Sequence, residues 1–353
     1  MGIKLKFEPR VRVSKSFELF VMLSSILMAL LVFAMFMFLS GKDALSAYKT
    51  MFLWAFMRKV GLEGTLVKFV PLSIIGLGLV LAFKMKLWNI GGEGQFYLGA
   101  MASTLLALFL FPNLDSFVLI PLIVFAGFLA GGFWSSIAGV LRAYLGADEI
   151  VVTLMLNYIA TLWSDYLVYG SWKDPAGFGF PMTAIFPESA KLPVLWGKVH
   201  VGVFSPIILS LLLKILLDRT KWGYEIRVIG DNPDVALCAG MNIKKNTILT
   251  MFLSGGMAGL AGAIYIMGVQ HRLQHAFSPG YGYTAIIVAW LSRLNPIAVL
   301  LVSFFLSGIF VGCEILQVIM KLPISVIYIF QGVLFFCVLV GEVFIRYKIS
   351  LVR

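Results

Sequence analysis

Apolar stretches of about 20 residues recur along nearly the whole chain, and nothing constrains its fold more. A stretch of that length crosses a bilayer as a helix, because a helix satisfies its own backbone N–H and C=O groups where no water can. Such stretches read at Phe17–Leu39, Leu66–Phe83, Gln95–Leu110, Phe117–Leu141, Ile150–Leu167, Val201–Leu217, Thr247–Met267, Tyr283–Leu291, Ile297–Leu316 and Ile324–Val343. The third and eighth are short and enter through glycine-rich segments. The chain is 60% hydrophobic and only 13% charged, against roughly half and a quarter in soluble domains. The expected fold is therefore all-α, a polytopic bundle of about ten transmembrane helices. The first stretch is too long for a cleavable signal and lacks a small-residue cleavage site. Cys238, Cys313 and Cys337 are scattered, which suits neither a disulfide framework nor a zinc site.

Charge sets the expected topology. The net charge is +11, but the basic residues flank apolar spans and form no stripe for nucleic acid. With the N-terminus inside, 17 of the 28 Lys and Arg fall on the cytoplasmic side and 9 outside, which favours both termini inside. The expected layout is a basic cytoplasmic segment over 1–16, a transmembrane domain over 17–343 and a cytoplasmic tail over 344–353. Lys68 is expected to snorkel to the outer interface. The segment Gly41–Thr65 is partly amphipathic and reads as lying on the bilayer surface, while Gly170–His200 reads as an irregular, proline-rich loop.

One polar segment interrupts the spans, Asp218 to Lys245, and the charge count puts it in the cytoplasm. Asp231, Asn232 or Pro233 can open a short helix there. Val235, Ala236, Ala239 and Met241 would form its small apolar face, and Gly240 and Asn242 its end. A short flat-faced helix held at a membrane surface suits docking to a soluble partner.

Chemistry-bearing motifs are few. There is no G-x-x-x-x-G-K-[S/T], serine elbow, H-E-x-x-H or C-x-x-C. If ATP drives this protein, another chain binds it. His271 and His275, four apart, have a spacing that could hold a metal on a helix, but an exposed loop is the simpler reading. Asp165, Glu314 and Glu342 fall near span ends, which argues against ion coupling through mid-membrane acids. Three polar insertions stand out. In L-W-N-I-G-G-E-G-Q, Asn89, Glu93 and Gln95 either line a translocation path or belong to a tightly packed turn. In A-D-E-I-V-V-T-L-M-L-N-Y, Asp148 and Glu149 suit a helix start, and Asn157 bonds either a neighbouring helix or a polar solute. In F-S-P-G-Y-G-Y-T-A-I-I-V-A-W-L, followed by S-R-L-N-P, a break precedes a short helix that is either a gate or a re-entrant connection.

Taken together, Trp88–Gln95, Thr153–Ile159, Gly230–Met241 and Pro279–Pro296 resemble the permease subunits of bacterial ABC importers. The match is to the branched-chain amino acid, simple sugar and nucleoside group, and within it to the nucleoside permeases that work with basic-membrane-protein-type lipoproteins. The resemblance covers most of the chain after Leu66. It implies a multi-pass permease of the bacterial cytoplasmic (inner) membrane, without an ATPase site of its own, carrying nucleosides or, alternatively, ribose-like sugars. An ion-coupled secondary transporter is the alternative of a different class. The implied partners are a cytoplasmic ABC ATPase that holds ATP and Mg, a second permease subunit in a heterodimer, and an extracytoplasmic substrate-binding protein or lipoprotein. No nucleic acid, no metal and no cofactor in this chain are implied. The ATPase-coupling role falls on Gly230, Asp231, Asn232, Ala236, Ala239, Gly240 and Met241. The stretch Ala285–Leu291 departs from the family pattern by carrying Trp290.

Overall fold

The computed structural model describes residues 4–10, 13–39 and 41–352. Arg12 and Arg353 of the basic tally lie outside the described residues, as do the side chains of Lys4, Lys6, Lys15, Glu342 and Arg346. In chain order the main elements are β1 (Lys4–Pro9), α1 (Lys15–Leu39), α2 (Ala44–Phe52), α3 (Lys59–Lys84), α4 (Gly92–Thr104), α5 (Ser116–Leu145), α6 (Glu149–Tyr169), β2 (Val194–Trp196), β3 (Val199–His200), α7 (Ser205–Arg219), α8 (Lys221–Asp231), α9 (Pro233–Cys238), α10 (Ile243–Tyr265), α11 (Tyr281–Leu291), α12 (Pro296–Met320), α13 (Ile324–Arg346) and β4 (Tyr347–Val352). The protein is an all-α membrane bundle, and among the described residues eight helices are long and apolar enough to cross a bilayer. The two expected spans missing from the eight are the short ones. At 11 residues, α11 is too short, and α4 gives way to a π-helical turn, Leu105–Leu110.

The chain divides into two compact units, Met1–Leu62 with Gly308–Arg353, and Glu63–Ser307. In the first, α1 buries a stripe of Val21, Ala29, Phe33 and Met37 and leaves Phe20, Leu27, Leu31 and Phe38 exposed, as a helix facing lipid should. Phe33 meets Phe330 of α13 at 4.5 Å between ring centroids. Asp43 caps α2 by accepting from the Leu45 N–H at 3.0 Å, and the Tyr48 hydroxyl donates to the Leu30 carbonyl. The two segments expected as loose basic tails pair with each other: β1 and β4 run antiparallel, Lys4 opposite Val352 and Pro9 opposite Tyr347.

The expected boundary at Leu66 is corrected. After α2 a π-helical turn, Leu53–Met57, leads directly into α3, which starts at Lys59. A Cβ at Gly61 would sit 1.7 Å from the Trp54 carbonyl oxygen, so only glycine lets the first turn of α3 fold back on this bend. Glu63 and Thr65, at the end of the segment expected on the bilayer surface, are buried.

The core of the second unit is a crossing of α4, α5 and α10 without side chains between the backbones. A Cβ at Gly99 would lie 1.9 Å from the Gly259 oxygen, one at Gly131 2.3 Å from the Gly255 oxygen, and one at Gly262 2.0 Å from the Phe96 oxygen. Between hydrocarbon-solvated helices, close packing of small residues replaces the hydrophobic driving force. The loop after α6 is less irregular than its prolines suggest. Its β2–β3 hairpin precedes α7, and its backbone is tied to the segment after α10. Thr183 N–H donates to the Leu273 carbonyl at 2.9 Å, Phe186 to His271 at 2.8 Å and Leu192 to Met267 at 3.1 Å. His271 and His275 share no helix. His271 has φ +55° after the π turn Ile266–Gln270, and His275 Nδ1 lies 2.8 Å from Asp165.

His200, at the end of this hairpin, is 1% exposed, and its Nδ1 accepts from the Gly202 N–H at 3.2 Å. Burial, and secondly the charge of His271, push its pKa down to about 4. The unfolded chain binds a proton near pH 6.5 that the folded chain refuses until about pH 4, so stability is greatest above the first value and falls as pH drops between the two. The melting temperature of the detergent-solubilised protein is expected to fall from pH 7 to pH 5, and His200→Gln to flatten that dependence. The full effect is on the order of 3 kcal/mol.

Candidate functional site

The W-N-I-G-G-E-G-Q segment links α3 to α4 and is a knot of paired polar groups. Asn89 is fully buried and faces Gln95 in a reciprocal amide pair: its Nδ2 donates to Gln95 Oε1 at 3.1 Å, and Gln95 Nε2 donates back to Asn89 Oδ1 at 2.9 Å. Asn89 Nδ2 also reaches Ser254 Oγ at 2.9 Å on α10, and its Oδ1 takes the Gly91 N–H at 3.0 Å. These bonds satisfy backbone and amide groups where the chain leaves helical geometry.

Asn157 closes the other side. Its Oδ1 accepts from the Gly94 N–H at 2.8 Å, and its Nδ2 donates to the Ile90 carbonyl at 2.9 Å and to the Tyr283 hydroxyl at 3.3 Å. Of the two partners open to it in the sequence, neighbouring segments of the same chain occupy it. Thr153 Oγ1 accepts from the Ile90 N–H at 3.2 Å. Glu149 accepts from the Trp88 N–H at 3.3 Å and pairs with Arg142 at 3.3 Å, while Asp148 caps α6 through the Ile150 N–H at 2.8 Å.

Glu93 sits in the first turn of α4, buried, and its Oε2 accepts from the Gly282 N–H at 2.7 Å. The carboxylate therefore receives the start of α11, and Ser278 and the Gly280 backbone also bond it. Gly280 has φ +89°, a left-handed turn that glycine enters without steric cost. A Cβ at Gly282 would lie 2.1 Å from the Glu93 nitrogen. Two short helices thus begin at one carboxyl group. Outward from this point α11 shows Tyr283, and its far end carries Trp290. There Trp290 stacks on Phe83 at 5.5 Å and meets Trp88 at 5.4 Å. The sequence singled out Trp290 but not its two aromatic partners.

The Asp218–Lys245 segment is two helices, not one. α8 is amphipathic: Gly223, Ile226, Ile229 and Gly230 are buried, while Lys221 and Tyr224 face out. Gly230 is a packing residue, since a Cβ there would lie 2.1 Å from the Lys84 carbonyl oxygen at the end of α3. Asp231 is the exposed last residue of α8. A polar triangle fixes α8 to α10: Trp222 Nε1 donates to Asn246 Oδ1 at 2.7 Å, and Asn246 Nδ2 donates to Glu225 Oε2 at 3.0 Å. Arg227 bonds the Leu217 carbonyl at 2.6 Å.

The second helix, α9, is closed at both ends. Asn232 Oδ1 accepts from the Asp234 N–H at 3.0 Å and the Val235 N–H at 3.3 Å, with Pro233 following at the first helical position. At the other end Gly240, at φ +73°, donates to the Leu237 carbonyl at 3.0 Å, and Met241 donates to Ala236 at 2.9 Å; this pair of bonds is a Schellman stop. Two details differ from the sequence reading. Asn242 opens α10, by accepting from the Lys245 N–H at 2.9 Å, and does not end α9. The outward face is also another one: Ala236 is buried, Ala239 is exposed, and the large apolar residues shown to solvent are Val235, 54% exposed, and Leu237, 59% exposed.

The family model described as branched-chain amino acid transport system / permease component matches residues 61–339. The chain belongs to this permease family. It is 32% identical to the glucose ABC transporter permease protein TsgB13 of Haloferax volcanii, over 99% of this chain and 95% of that one. The nucleoside ABC transporter permease protein NupB of Lactococcus lactis is 29% identical over 85% of each chain. The guanosine ABC transporter permease protein NupP of Bacillus subtilis is 30% identical over 84% of this chain and 85% of its own. The protein is a multi-pass membrane permease of the ABC importer type. The α3–α4 knot and the α8–α9 pair both lie within the family match, whereas α1 and α2 lie before it.

Asn157→Ala leaves the Gly94 N–H and the Ile90 carbonyl buried without partners, at a cost of about 2 kcal/mol. The expected result is a lower melting temperature in detergent, with Asn157→Asp partly retaining the bond to Gly94. A loss of transport with no change in melting would instead assign Asn157 to solute contact.

Proposed function

We propose that this permease works as the membrane half of an ATP-driven importer for nucleosides, taking its force through α9. The observation that carries this reading is the mounting of α9. A six-residue helix, capped at both ends and showing Val235 and Leu237, stands beside an α8 that is bonded to α10 and packed on α3. Force applied to α9 passes into long helices and not into a slack loop. Separate ATPase subunits would hold ATP and Mg and seat α9 in a cleft, and a substrate-binding protein would deliver solute at the opposite face. The second permease subunit of a heterodimer completes the path. The positive-inside count supports cytoplasmic termini and a cytoplasmic α9.

A sugar is the second reading for the substrate, because the relative aligned over 99% of this chain has a name that specifies glucose. Both solutes are neutral and rich in hydrogen-bonding groups, and aromatic faces with a few hydroxyls suit either. Tyr283, 41% exposed, and the half-buried Trp290 are the aromatic side chains of α11 that would meet them.

The test is uptake of radiolabelled guanosine and glucose into vesicles that carry the reconstituted complex and internal ATP. Guanosine uptake that requires ATP is expected, with glucose not competing. Val235→Asp with Leu237→Asp is expected to abolish uptake and co-purification of the ATPase while leaving the melting temperature unchanged, since both residues face outward. Uptake that follows an ion gradient and survives this double substitution would refute the coupling role of α9.

A further inference from the structure

We infer that the groove between α1 and α13 is a binding site for one anionic phospholipid, with an acyl chain along the groove and the headgroup at its basic end. The groove has a volume of about 730 Å³ and is lined by Phe17, Val21, Met28 and Val32 of α1 and Phe336 and Val340 of α13, among others. Its two serines have spent their donors within α1. Ser24 Oγ donates to the Phe20 carbonyl at 2.5 Å, and Ser25 Oγ donates to the Val21 carbonyl at 2.8 Å. From Phe17 to Val32 the groove runs on the order of 22 Å at the helical rise, longer than the roughly 15 Å of one leaflet's hydrocarbon. A Cβ at Gly332 would meet nothing within 4 Å, so the space beside this glycine is open. A hydrocarbon chain is the occupant that an apolar slot of this length takes inside a bilayer.

Charge selects the headgroup. The Arg10 guanidinium lies 4.6 Å over the Phe17 ring, where the groove ends, and its Nε donates to the Tyr347 carbonyl at 3.5 Å. Lys348 is exposed on β4, opposite Glu8 in the strand register. Pairing of β1 with β4 brings both basic segments to this one end. Over residues 1–18 and 342–353 the sequence carries eight Lys and Arg against Glu8, Glu18 and Glu342. Basic clusters beside a membrane helix attract anionic lipid by about fivefold per residue. The whole site lies in one compact unit. Of its two walls, α1 lies before residues 61–339 and α13 lies largely within them.

The experiment uses the complex purified through a tag on this chain and placed in nanodiscs containing a photoactivatable phosphatidylglycerol or phosphatidylcholine, each with a diazirine in the acyl chain. The phosphatidylglycerol probe is expected to label α1 and α13 groove residues about fivefold more than the phosphatidylcholine probe. Arg10→Glu with Lys348→Glu is expected to erase that preference, and Gly332→Phe to reduce labelling by both probes. The charge-reversal pair lies outside the helices, so it keeps the test decisive if Gly332→Phe fails to fold. Equal labelling by the two probes would overturn the proposal, leaving ordinary annular lipid. Disulfide cross-linking of Met28→Cys or Phe336→Cys to another membrane subunit would overturn it by making the groove a subunit interface.

Discussion

A peptide group in hydrocarbon has no water to fall back on, and every departure from continuous helix must bring its own hydrogen-bonding partners. That obligation governs this molecule at the point where α3 ends and α4 begins. The chain leaves helical geometry there, and Asn89, Asn157 and Thr153 each take up backbone groups exposed by the break, while Glu93 takes the Gly282 N–H at the start of α11. Glycines at 91, 92 and 94 are the other half of the same solution. They let partner backbones come close enough for side chains as short as Asn and Thr to reach across.

The close approach extends from the knot into the rest of the unit. Gly99, Gly259 and Gly262 bring α4 and α10 into backbone contact one and two turns beyond it. The two short helices that start at Glu93 are therefore held by packing on one side and by hydrogen bonding on the other. Tyr283 connects the two, since its hydroxyl receives the Asn157 amide while its ring stays partly open. A solute that pressed on this ring would act on the residue that holds the Gly94 N–H. At the far end of the same unit the Trp222–Asn246–Glu225 triangle ties α8 to α10. The α3–α4 knot, through Asn89 and Ser254, and α8 thus share α10 as a common neighbour.

Much of this was legible in the letters, and the exceptions have physical causes. Asn232, Pro233 and Gly240 were readable as cap, first turn and stop because capping is local chemistry between residues a few positions apart. The outward face of α9 was not, because which side of a six-residue helix is covered depends on α8. The amphipathic pattern of α8 itself, with Ile226 and Ile229 three apart between charges, is present in the same polar segment, whose reading placed one helix where there are two. The segment Gly41–Thr65 reads as lying on the bilayer surface because its amphipathic pattern is local, whereas the burial of Glu63 and Thr65 at its end depends on distant parts of the chain such as Gly197 beside Glu63. Pairing of β1 with β4 joins the two ends of the chain, and no local pattern signals a contact across such a separation.

The reciprocal amides of Asn89 and Gln95 carry a last implication. Neither group gains or loses a proton in any physiological range, and neither bears net charge for the transmembrane voltage to pull on. The amide pair therefore keeps the same bonds in acid or alkaline surroundings and in an energised or a depolarised cell, unlike the carboxyl groups of Glu93 and Glu149 beside it.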